Sequence, residues 1–143
     1  MATFNKINDF VEDLANGVHD FDTHSFKYAL SNTAPASESP DPSADGNGVL
    51  ANVTEIAYTN VAETRVISTT AVTLSGGTAS FDGDNEVLTA SGGSVGPFRY
   101  VYIYNDTPTG DPLIGYWDYG SSITLADGET LSLNVSTVFL TIA

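Results

Sequence analysis

The stretch GSVGPFRYVYIYNDTPTGDPLIGYWDYGSS, residues 93–122, decides the fold. It holds five of the chain's seven tyrosines and its one tryptophan. Phe98, Tyr100, Tyr102 and Tyr104 recur at every second position, the period of an extended strand, which predicts four rings on one face and Arg99, Val101 and Ile103 on the other. A second run, residues 113–119, is expected to set Leu113, Trp117 and Tyr119 on one face and Ile114, Tyr116 and Asp118 opposite. Between the runs, residues 105–112 supply Asn, Asp, two Pro and Gly, so the pair reads as a hairpin with a long polar tip. A two-stranded ribbon is marginal in water, and this one is apolar on both sides. Both faces therefore need cover, one from the domain and the other from a helix, another sheet or another subunit.

Upstream, Phe4, Ile7, Val11, Leu14 and Val18 step by three and four, with Phe10 widening the stripe, and predict an amphipathic helix over residues 1–18. Thr3 is its expected N-cap and Asn16-Gly17 its stop. Phe26, Tyr28 and Leu30 alternate as in a strand. Residues 31–48, SNTAPASESPDPSADGNG, form a long surface loop, and residues 49–57 fit a helical turn as well as a strand. From residue 64 to 143 lies the main β region. Short β-branched runs at 65–74, 78–81, 87–89, 123–125, 130–135 and 138–142 are separated by Gly, Asn and Asp turns. With no βαβ alternation, the expected class is mainly β: an antiparallel β-sandwich or jelly roll of about eight strands with one N-terminal helix, in a single domain over residues 1–143.

The chain carries 18 acidic and 4 basic residues, a formal net charge of -14. Such a surface repels polyphosphate and anionic lipid, which argues against nucleic-acid and membrane partners. With no cysteine there is neither disulfide nor thiolate metal site. No basic-then-apolar leader opens the sequence, and no run approaches the roughly 18 apolar residues of a membrane span. Synthesis and retention in the cytoplasm are expected, unless the product leaves within a particle.

Chemical motifs are sparse. His19 and His24, with Asp20 and Asp22 between them, could offer metal ligands, but they lack helical spacing and an accompanying catalytic glutamate. Asp82, Asp84, Asn85 and Glu86 crowd hard oxygens into one turn, which suits calcium, yet solvated turns have the same composition. No metal or cofactor is expected. There is no nucleophile elbow and no phosphate-binding loop with a lysine, so the chain reads as non-enzymatic.

MATFNKINDFVEDLANGVH (1–19), SFKYALSNTAP (25–35), VTEIA (53–57), GGSVGPFRYVYIYND (92–106), DPLIGYWDYGSSITLADGETLSL (111–133) and FLTIA (139–143) together resemble a family of small tailed-bacteriophage virion proteins. The family is of the capsid cement, or head-decoration, type. The resemblance runs over nearly the whole chain, with loop 31–48 departing from it. It implies a structural protein on the outer surface of the virion head that bridges major capsid protein subunits and associates with itself as a dimer or trimer. The expected contact residues are Phe4, Ile7, Phe10 and Val11 of the helix and Tyr100, Tyr102, Tyr116 and Trp117 of the hairpin. A tail-associated or fibre-like adhesion module binding host glycans is the alternative, and it requires Tyr100, Tyr102, Tyr116 or Trp117 to stay exposed for stacking on sugar. A hydrolytic domain would instead need carboxylates such as Asp82, Asp84 and Glu86 to converge in a cleft.

Overall fold

The hairpin stands at the centre of the molecule. In the computed structural model, which describes residues 2–68, 70–135 and 140–143, the elements in chain order are β1 (Phe4–Lys6), α1 (Asp9–Ala15), β2 (Phe26–Ser31), β3 (Val66–Ile67), β4 (Ala71–Ser75), β5 (Thr78–Asp82), β6 (Glu86–Thr89), β7 (Val95–Asn105), β8 (Leu113–Leu125), β9 (Thr130–Leu133) and β10 (Leu140–Ile142). Two single 3₁₀ turns, Pro35–Ser37 and Leu50–Asn52, punctuate the long connection after β2. The fold is mainly β, with antiparallel sheets and one α-helix. Its ten described strands exceed the expected eight in part because the edge strand at 4–6 is too short to show a period and the run at 65–74 divides into β3 and β4. Of the strand expected over 138–142, residues 138 and 139 lie outside the described residues.

β7 and β8 are the two longest strands and pair antiparallel from Tyr104↔Leu113 to Val95↔Leu125. They form the middle of a five-stranded sheet ordered β1-β8-β7-β2-β3, so both ends of the main sheet are built from residues N-terminal to residue 68. The remaining strands make a three-stranded sheet, β10-β5-β4, and a two-stranded one, β6-β9.

The faces of the hairpin differ from simple alternation, and β-bulges are the reason. Ile103 opposes Gly115 while Tyr104 opposes Leu113, which leaves Ile114 as an extra residue in β8. Adding one residue flips every later side chain to the other face. Leu113 consequently joins the cluster that Tyr116 packs against, and Ile114 the one that Trp117 packs against, reversing the expected sets. Two further register shifts flank Phe98, and its ring packs with Val95, Val101 and Ile103 instead of with Tyr100, Tyr102 and Tyr104.

Two cores result, one on each side of β7. The larger gathers Phe10, Phe21, Phe26, Tyr28, Leu30, Val101, Ile103 and Ile114 with Phe81 and Leu88 from the smaller sheets. The other joins Tyr100, Tyr102, Tyr104 and Leu113 to Ile7, Ala29 and Val53, with Ala34 and Leu50 against them. The second face is thus covered by the chain's own residues 34–53. The loop over 31–48 is held there by side chains acting on backbone. Asp9 accepts from the amides of Gly46 and Gly48 at 2.7 and 2.8 Å, Glu38 accepts from Thr54 at 2.7 Å, and the Leu113 amide donates to the Gly48 carbonyl at 2.8 Å.

The N-terminal helix is shorter than residues 1–18. Its N-cap is Asn8, not Thr3, and its C-cap is Asn16, beside Gly17 as expected. Residues 4–6 are instead strand β1, with Phe4 opposite Trp117 and Lys6 opposite Gly115. Gly115 explains the choice: a Cβ there would lie 2.2 Å from the Phe4 ring, so the missing side chain is the space that ring occupies. Sheet pairing and an aromatic contact 4.9 Å between centroids outweigh the weak helical preference of one turn.

Candidate partner-binding surface

Of the eight expected contact residues, the structure leaves one exposed. Ile7, Phe10 and Tyr102 are at most 1% exposed and Tyr100 is buried, all four within their own chain. Phe4, Tyr116 and Trp117 are half-buried, and Val11 is 53% exposed. The tyrosine face of the hairpin therefore needs no second subunit, contrary to expectation, because residues 34–53 already cover it. Burial raises the phenol pKa of Tyr102, and that of Tyr104 to about 12, keeping both rings neutral.

Val11 opens onto a groove between α1 and the C-terminal strand. Lys6, Phe10, Val11, Leu14, Leu140, Thr141 and Ile142 line it, together with Ala143, and its volume is about 310 Å³. Helical spacing brings Phe10, Val11 and Leu14 to this side, while β1 delivers Lys6 at the margin. Lys6 is distinctive. Lys27, Arg65 and Arg99 form ion pairs with Asp106, Glu55 and Asp118, whereas Lys6 makes none among the described residues. The groove can accept an apolar side chain and place one cation beside it.

The turn residues tie into the segment around Ser68 and β4. Glu86 accepts from the Ser68 amide at 2.8 Å, the Asp84 amide donates to the Ser68 carbonyl at 2.9 Å, and Asp82 sits opposite Ala71 in the β4–β5 ladder. The residues 82–86 do not close a hairpin but carry the chain from one sheet to another. Among the described residues no group of three or more His, Asp or Glu side chains could hold a metal ion.

His19 and His24 do converge, on a residue that the sequence did not single out. Asn105, fully buried at the end of β7, places Nδ2 3.2 Å from Nδ1 of His19 and 2.9 Å from Nδ1 of His24, while its Oδ1 accepts from the Thr107 amide. The arrangement staples the connector after α1 to the hairpin tip. Burial, reinforced by the charge of His24, holds the His19 pKa down to about 4. Nothing in the local sequence marks Asn105, since an Asn opening a Pro- and Gly-containing tip reads as a turn residue.

No helix among the described residues is long and apolar enough to cross a membrane. Comparison with protein-family models, with curated proteins and with solved structures finds no match.

Proposed function

We propose that the chain is a non-enzymatic structural protein of a tailed-phage virion, of the capsid cement type, bridging neighbouring major capsid subunits on the outside of the head. The observation that carries this reading is the apolar groove at Val11, Leu14, Leu140 and Ile142 on a molecule of net charge -14. An acidic outer coat stays clear of packaged DNA, and an apolar notch gives a protein partner something to fill. A partner that binds only the mature lattice stabilises it by its own binding free energy. The same reading takes the five-stranded sheet and the smaller sheets, joined through the Phe21, Phe26, Phe81 and Leu88 core, as the two layers of a sandwich.

The adhesion alternative has less support. Tyr100 and Tyr102 are enclosed, Tyr116 is half-buried, and Trp117, also half-buried, rests against Phe4, so none of the expected rings is fully exposed. Tyr119 alone of the hairpin aromatics is more than half exposed.

Because Ile7 and Phe10 are core residues, deleting the N-terminus would unfold the protein, and the test is a point substitution. Val11→Asp, at an exposed position, is mixed with purified heads lacking the protein, and bound copies per head are counted. The expected result is a loss of affinity of about tenfold or more. Undiminished occupancy by a folded variant ends the proposal.

A further inference from the structure

Among the described residues the sheet β10-β5-β4 ends in an open edge at β4. Ser75 and Thr78 face each other across Gly76 and Gly77, whose φ values of 58° and 85° are those of a two-residue hairpin turn. In such a hairpin the flanking residues form a hydrogen-bonded pair, and bonded and non-bonded pairs then alternate along the ladder. Thr73 and Ala71 accordingly bond to β5, and the N–H and C=O groups of Val72 and Leu74 point outward, away from it. Their side chains share the face of Phe81, which stands opposite Val72. Phe81 is buried in the core, but the apolar surface it begins runs out uncovered onto Val72, 47% exposed, and Leu74, 75% exposed.

Edge strands are ordinarily blunted by a charge, a proline or a bulge. β4 has none of these: its register with β5 is unbroken, and residues 66–81 contain no charged side chain and no proline. Across most of its surface a chain of net charge -14 repels its own copies. Residues 66–81 are a stretch where two copies can meet without opposing carboxylates, and an uncharged strand is complementary to itself about a two-fold axis.

We propose that β4 pairs antiparallel with β4 of a second copy, about a two-fold axis through Thr73. Val72 then exchanges both backbone hydrogen bonds with Leu74 of the second copy, and Leu74 with its Val72. The two Thr73 residues meet at the axis as a non-hydrogen-bonded pair, with Cα atoms about 4.5 Å apart. A continuous six-stranded sheet results, and each Val72 is covered by the opposite Leu74. One strand pair buries less than the roughly 1,200–2,000 Å² of a stable interface, so the dimer is concentration-dependent. The proposal rests on this edge alone and stands whether or not the chain belongs to a virion.

The experiment is sedimentation of the full chain from micromolar to millimolar concentration, with the mass expected to rise from 15.0 kDa toward twice that value. Leu74→Lys, at an exposed side chain, sets like charges beside the axis and is expected to raise the dissociation constant by about tenfold or more. The chain has no cysteine, so Thr73→Cys should give a disulfide-linked dimer under mild oxidation, while Ser121→Cys, exposed on another strand, should not. If Leu74→Lys fails to fold, the Thr73→Cys cross-link decides. A single monomeric mass throughout, a Thr73→Cys chain that does not cross-link, or a dimer dissociated by Val11→Lys and not by Leu74→Lys would each overturn the proposal.

Discussion

His19 shows how one side chain carries a pH dependence. Its pKa is 6.5 in an unfolded chain and about 4 in the folded one, because burial disfavours the imidazolium. Between these values the unfolded chain binds a proton that the native state refuses. Stability is therefore intact above pH 6.5, falls as the pH drops toward 4, and has then lost about 3 kcal/mol from this group. Asp13, 3.9 Å from His19, works the other way: burial and then the charges of Asp9 and Glu12 raise its carboxyl pKa, which offsets part of the loss at the acid end. Urea unfolding of His19→Gln across this window should show a flatter pH profile than wild type, and parallel profiles would refute the assignment. At Gly115 the issue is space, not charge. Alanine there collides with Phe4 and with the Asn5 carbonyl, so Gly115→Ala should cost about 1–3 kcal/mol by displacing β1, read as a lower urea midpoint at unchanged slope.

At the scale of elements, the loop over 31–48 is the cover of the tyrosine face, and Asp9 is its clasp. One carboxylate in the first turn of α1 accepts two backbone amides, at Gly46 and Gly48, and charge-assisted bonds of this kind exceed neutral ones. Asp9→Ala is expected to destabilise the fold by about 2 kcal/mol and to speed hydrogen exchange first at those two amides. Uniform acceleration across β7 and β8 would mean that the loop and the sheet open together instead. The strands were legible in proportion to their length and alternation: the hairpin and β2 stand out in the sequence, but the bulge at Ile114 does not. A bulge is decided by which partner residue lies opposite, and Leu113, Ile114 and Gly115 are locally as compatible with an unbroken strand. β1 reads as helix in the sequence for a related reason, since Phe4 and Ile7 suit a helical stripe until Gly115 offers Phe4 a seat.

For the whole molecule, charge is the governing quantity. Three of the four basic residues are already engaged in ion pairs, so the acidic excess is met by few free cations. Raising the salt concentration shortens the range of that repulsion and should raise the melting temperature by a few degrees, whereas a fall would show that the ion pairs matter more than the net charge. Composition alone determined this acidity and the absence of cysteine, because each is a sum over residues and needs no knowledge of neighbours, whereas the β-rich class rests on alternation and the spacing of turns. Alternation likewise placed the central hairpin and gave both of its faces an apolar character. What covers those faces was decided only in three dimensions. Residues 34–53 fold back over the tyrosines, Ile7 and Phe10 turn inward, and Val11 is left outside, because burial depends on contacts between segments far apart in the chain, which local pattern does not encode.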